Sequence, residues 1–193
     1  MYDIAGAAHA TVPKAEGCSL PPGRLDWAPV ARATLLHLDR WVTGNVEPPP
    51  TRLMPLEPAS EDPTVLQAPK SLLEAVVQVP RRDADGNALG GIRLPDIAVP
   101  LGVHGAQNRP LTSFSCSLVG AYLAFPQNRA PGAPGPASLA ERYRDNADYV
   151  NRVRVAAAAA VRDGFLLPED AAVIINDAAA SPILPPAPAG PPR

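Results

Sequence analysis

In this 193-residue chain the segment best suited to chemistry stands near the start, in YDIAGAAHAT. A short apolar run (Met1 to Ala5), a glycine turn and then His9 is how the end of a strand presents an imidazole as a general base. By residue type alone, a single histidine behind a glycine is in most chains a surface or structural residue. A base also needs a nucleophile to serve. The strained G-x-S-x-G elbow is absent. Ser113, Ser115 and Ser117 lie in TSFSCSLVG, which lacks flanking glycines at that spacing. Cys116 would need a depressed thiolate pKa and an adjacent base, and the sequence offers neither.

Other constellations reduce to structure. DADGN (Asp83, Asp85, Asn87) begins like a calcium loop, but its sixth position is Ala88 where the loop needs glycine, and its twelfth is Leu94 where it needs glutamate. It reads as a turn. His37 sits beside Leu35 and Leu38 as a packing residue, whereas His104, in VHGAQN, reads as a loop residue able to face a ligand. Arg142, Arg144, Arg152 and Arg154 read as a solvated helix face. Cys18 and Cys116 are too few for a zinc framework and either pair or stay as thiols. No phosphate-cradling glycine loop or dinucleotide fingerprint occurs.

Stepping from residues to elements, the clearest helix spans Asp26 to Gly44. Asp26 is a suitable N-cap and Pro29 falls in the first turn. Ala31, Leu35, Leu38, Trp41 and Val42 share one face, and Gly44 is placed to end the helix in the left-handed conformation. Thr51 to Pro69 is proline-rich irregular chain. Ser71 to Val79 has strand character, Asp83 to Gly91 is a turn, and Ile92 to Leu101 is at most an edge strand because Pro95 and Pro100 interrupt it. Ser138 and Glu141 form a capping box. Tyr149 to Val161 is a second helix stopped by Gly164, and Pro168, Glu169 and Asp170 open a third. Ser181 to Arg193 holds six prolines in thirteen positions and reads as a disordered tail.

Composition excludes several functions. Lys+Arg number 17 against 19 Asp+Glu, for a formal charge of −2. A polyanion-binding surface needs a basic excess, so nucleic acid is not an expected partner. No run approaches the ~18 apolar residues of a membrane span. MYDIAGAAHA lacks the basic start and long apolar core of a secretory signal. Pro 26 and Gly 14 make about a fifth of the chain, below the ~25–30% that marks wholesale disorder. A chain that opens inside a strand and turns at once at Gly6 also reads as lacking the strands that precede it.

The order YDIAGAAHA, RATLLHLDRWVTGNVEPPPTR, DADGNALGGIRLPDIAVPLG, LVGAYLAFPQNR and SLAERYRDNADYVNRVRVAAAAAVRDGFLLPEDA resembles the C-terminal part of a family of large bacterial α/β-hydrolase-domain proteins, from Tyr2 to about Ala179. The resemblance implies an α/β fold class. Residues 1–50 would be the end of the hydrolase core, with its last strand, histidine loop and final helix. Residues 51–180 would be a family-specific extension with a strand pair and helices, and 181–193 the Pro-rich tail. In that fold the triad runs Ser, then Asp or Glu, then His along the chain. His9 would be the catalytic base, while serine and acid would lie in a missing upstream hydrolase segment. The implied function is that of a serine hydrolase acting on a small-molecule carboxylic ester, with no cofactor and no metal, inactive as this chain alone. The rival expectations are a non-catalytic interaction module and a gene fragment without function of its own.

Overall fold

A computed structural model describes residues 1–12, 14–58 and 78–185. Its elements are α1 (Ala28–Gly44), β1 (Leu56–Pro58), β2 (Gln78–Pro80), α2 (Pro95–Ala98), β3 (Gly102–Gly105), a 3-10 helix (Phe114–Leu118), β4 (Ala121–Ala124), α3 (Leu139–Arg142), α4 (Asn146–Arg162) and α5 (Pro168–Ala180). β1 pairs antiparallel with β2, and β3 with β4 in the register His104 opposite Tyr122. Among the described residues no helix is long and apolar enough to cross a membrane.

The opening segment is extended and makes two isolated parallel bridges, Tyr2 with Arg52 and Ile4 with Ile92. The Asp3 and Ala5 N–H groups donate to the carbonyls of Arg52 (2.8 Å) and Ile92 (3.0 Å), and Ile92 donates back to Asp3 (2.7 Å). Backbone groups alternate sides along an extended chain. All these bonds therefore leave from one edge, and the Tyr2 and Ile4 N–H groups on the other edge find no backbone partner among the described residues.

α1 differs from its sequence reading at both ends. It starts at Ala28 behind Trp27, and Asp26 serves it by accepting the Ala28 N–H at 2.9 Å instead of occupying the cap position itself. Gly44 remains helical, and the left-handed residue is Asn45 (φ 52°), whose amide side chain tolerates that region. The larger correction concerns its faces. Val30 and Ala33 enter the core, whereas the stripe of Leu35, Leu38, Trp41 and Val42 points outward, exposed from 50% at Trp41 to 76% at Val42.

The middle of the chain departs further. Ile92 to Leu101 holds a helical turn, α2, because Pro95 sits at its first position and leaves no N–H unsatisfied. His104 lies on β3 and not in a loop. Of the expected strand at Ser71 to Val79, residues 71–77 lie outside the described residues, and β2 begins at Gln78. The capping box is present: the Ser138 N–H donates to Glu141 Oε2 at 2.8 Å. The charge-assisted bonds from Arg129 and Ser138 hold the Glu141 carboxyl down at about 2. α4 buries Tyr149, Val153 and Ala157. Gly164 (φ 83°) turns the chain after α4, and α5 packs against α4.

Two apolar clusters form the interior. One gathers Ala5, Leu25 and Val30 from the N-terminal limb with Ile92, Leu94, Ile97, Phe165 and Leu166. Burial of side chains such as Leu94, Ile97 and Leu166 stabilises the fold by about 1.5–3 kcal/mol each. The other joins Val103, Phe125, Tyr143, Tyr149 and Val153 with Ile183. Ile183 therefore packs where the sequence suggested the start of a disordered tail, and its N–H donates to Asn146 Oδ1 at 2.7 Å. Residues 186–193 of that tail lie outside the described residues. Arg142 is not on a solvated face: it makes a two-pronged ion pair with Asp85 and stacks over Phe125 at 4.1 Å, and the pair depresses the Asp85 pKa.

Candidate functional site

Two glycines set where the histidine loop runs. Gly6 (φ +73°) turns the chain against β3, and a Cβ there would stand 2.8 Å from His104 Cβ. Gly120 (φ +62°), just before β4, lies so close to Gly105 and Ala8 that a Cβ would meet the Ala8 methyl at 2.8 Å. The loop thus lies against the β3–β4 hairpin. The Ala10 N–H donates to Leu118 O at 3.0 Å, and the Thr11 hydroxyl to Leu25 O at 3.0 Å.

Between these anchors His9 sits at a bend and is exposed. Its ring has neither a hydrogen bond nor an ion pair among the described residues. No described serine bonds to it: Ser113 and Ser115 share their hydroxyls at 2.7 Å, and Ser117 donates to Phe114 O. The chemistry-bearing side chains singled out from sequence are therefore not brought together. Cys116 is excluded as a nucleophile because it is joined to Cys18 in a disulfide across 98 residues.

That disulfide belongs to a set of fastenings on the segment after the histidine loop. The Gly23 N–H donates to Val119 O (2.9 Å), and the Tyr122 N–H donates to Pro21 O (3.0 Å). Asn108, buried, donates to the carbonyls of Leu20 (2.9 Å) and Gly120 (2.8 Å) while accepting the Leu20 N–H (3.2 Å). The DADGN turn has a matching role. Asp83 Oδ1 accepts the Asp85 and Asn87 N–H groups, and fully buried Asn87 accepts the His104 N–H at 2.9 Å and donates to Gly102 O at 3.1 Å. Residues that looked like calcium ligands instead hold β3, and no metal-binding cluster exists among the described residues.

His104 is the unusual titratable group. It is 4% exposed, its Nδ1 has no hydrogen-bond partner, and burial together with nearby Arg24 lowers its pKa to about 4. Its ring packs on Tyr122 (centroids 4.9 Å), and the Arg24 guanidinium lies over Tyr122 at 4.7 Å. Arg24 also lines a cavity of about 440 Å3 with Thr11, Val12, Pro21, Pro22 and Gly23. Sequence reasoning missed Arg24, Tyr122 and Asn108, since no motif links Arg24 to Tyr122 or Asn108 to Leu20, which lies 88 positions away. His37 packs as expected, donating from Nε2 to Gly164 O at 2.6 Å.

The family model described as alpha/beta hydrolase domain matches residues 1–176. Neither the curated proteins nor the solved structures gave a match.

Proposed function

The chain belongs to the alpha/beta hydrolase domain family, a hydrolase-type fold, and from that premise we propose that it is the C-terminal portion of a serine hydrolase acting on carboxylic esters, with His9 as the catalytic base. Residues 1–50 then complete a hydrolase core, and 51–180 are an extension laid against it. The serine and the acid come from upstream chain. His9 takes the serine proton as the hydroxyl attacks the ester carbonyl, then returns it to the departing alkoxide. A second carboxylate-bearing segment orients the imidazole.

The observation that carries this reading is the place of His9: exposed, at a bend behind a glycine turn, following an extended segment with the N–H groups of one edge unpaired among the described residues. An unpaired edge invites another strand. The outward apolar stripe of α1 is the second support, because four large side chains on one helix face call for a packing partner. The same stripe would serve an interaction module, which needs no catalysis. Hydrolysis of p-nitrophenyl acetate by the isolated chain tests whether the site is divided, and His9→Ala in a longer protein separates catalysis from docking. One imidazole without its serine should turn over no faster than free imidazole, because triad members act as a unit. Robust turnover by residues 1–193 alone would refute the division of the site between two segments.

A further inference from the structure

Arg24 differs from most arginines of the chain. Nine others, Arg32 and Arg142 among them, reach a carboxylate. Arg24 makes no ion pair or hydrogen bond among the described residues, yet it is held in place by stacking on Tyr122. The backbone beneath it is fixed as well, through Gly23 to Val119 and Pro21 to Tyr122. His104, which also packs on Tyr122, stays neutral at ordinary pH, so it adds no positive charge there.

Arg24, an exposed residue, is among those lining the cavity of about 440 Å3, a size in the range of small-molecule sites. Among the described residues the rest of the lining is Pro21, Pro22, Val12, Gly23 and Thr11, all uncharged. Two of the lining residues, Thr11 and Val12, follow His9 by two and three positions in the chain.

We propose that this cavity is a subsite for a carboxylate group, gripped by Arg24, and that it selects esters carrying a free carboxylate on a short chain. The planar guanidinium fork matches a carboxylate with two parallel hydrogen bonds, which a lone ammonium cannot reproduce. A pre-stacked arginine loses little freedom on binding. The substrate class rests on the hydrolase reading, but the binding site itself does not.

The test separates the two. Monomethyl glutarate and its uncharged counterpart dimethyl glutarate are titrated into the 193-residue chain, with amide chemical shifts at Thr11, Val12 and Gly23 as the readout. The mono-anion should shift these amides and the diester should not. Arg24→Gln should weaken binding by about tenfold or more, Arg24→Lys should retain part of it, and His9→Ala should leave it unchanged. Equal binding of both esters, no loss in Arg24→Gln, or tighter binding of inorganic phosphate than of the carboxylate would overturn the assignment. Absence of hydrolysis by an unaltered longer protein, with carboxylate binding intact, would instead count against the hydrolase reading alone.

Discussion

α1 and α4 are both 17 residues long and both amphipathic, yet they meet opposite fates. α4 directs Tyr149, Val153 and Ala157 into an apolar cluster and turns its charges outward, where Arg144 and Arg152 pair with Asp148. Its N-terminus is capped by Asp145 accepting the Asp148 N–H at 2.7 Å. α1 buries small residues near its start and shows Leu35, Leu38, Trp41 and Val42 to solvent. The helical hairpin of α4 and α5 is complete within this chain. The N-terminal limb is fastened by a disulfide, buried asparagines and glycine contacts, but its largest apolar face stays exposed among the described residues. The lesson is that periodicity establishes an amphipathic helix without saying that the chain in hand supplies the other half of the contact.

Four measurements can break or sharpen that contrast. The largest effect is expected at the disulfide. Cys18 and Cys116 close a loop of about 100 residues, for which the chain-entropy account gives about 4–5 kcal/mol. Reduction, followed by urea unfolding, should lower stability by that order, and hydrogen exchange should rise first in residues 14–25 while α4 and α5 stay protected. Uniform loosening would show that the two regions are not distinct.

Acid should act next, through His104. Its folded-state pKa (about 4) lies below the ordinary 6.5, so the unfolded chain takes up the proton first. Stability is full above about 6.5 and falls as pH drops toward 4, by about 3 kcal/mol in all. Denaturation curves at pH 7 and 4.5 measure this, and His104→Gln should flatten the dependence over that interval.

Smaller effects distinguish the helices themselves. Val153→Ala, in the buried face of α4, should cost about 2 kcal/mol, whereas Leu38→Ala should stay within about 0.5 kcal/mol in the isolated chain. Equal costs would mean that the α1 stripe is already packed. The smallest signal is spectroscopic: Trp27 and Trp41, the two tryptophans, are both partly exposed and should emit near the solvent limit in this chain, shifting to shorter wavelength in a longer protein that covers α1.

Legibility in the sequence followed the range of the forces. Local chemistry was readable: the capping box at Ser138, the Asp83 turn, proline-headed α5 and the face of α4 all appear where side chain and backbone within a few residues decide them. Long-range pairing was not. β3 and β4 are four residues each and carry glycine and alanine at their ends, too short and too weakly alternating to stand out. His104 became a buried strand residue because Asn87, 17 positions away, takes its N–H. Arg24 gains its setting from Tyr122, and the disulfide pairing was open until the fold brought Cys18 to the 3-10 helix. His9 was picked out by its glycine turn and its resemblance, while a serine or acid to complete the site is not found beside it among the described residues.

The central claim is that His9 serves a nucleophile lying outside these residues. Steady-state hydrolysis of an activated ester by the longer protein, with and without His9→Ala, tests it most directly. A fall in kcat of about 10³-fold or more, with folding unchanged, is the expected result. An unchanged kcat would contradict the claim and leave the limb a docking surface.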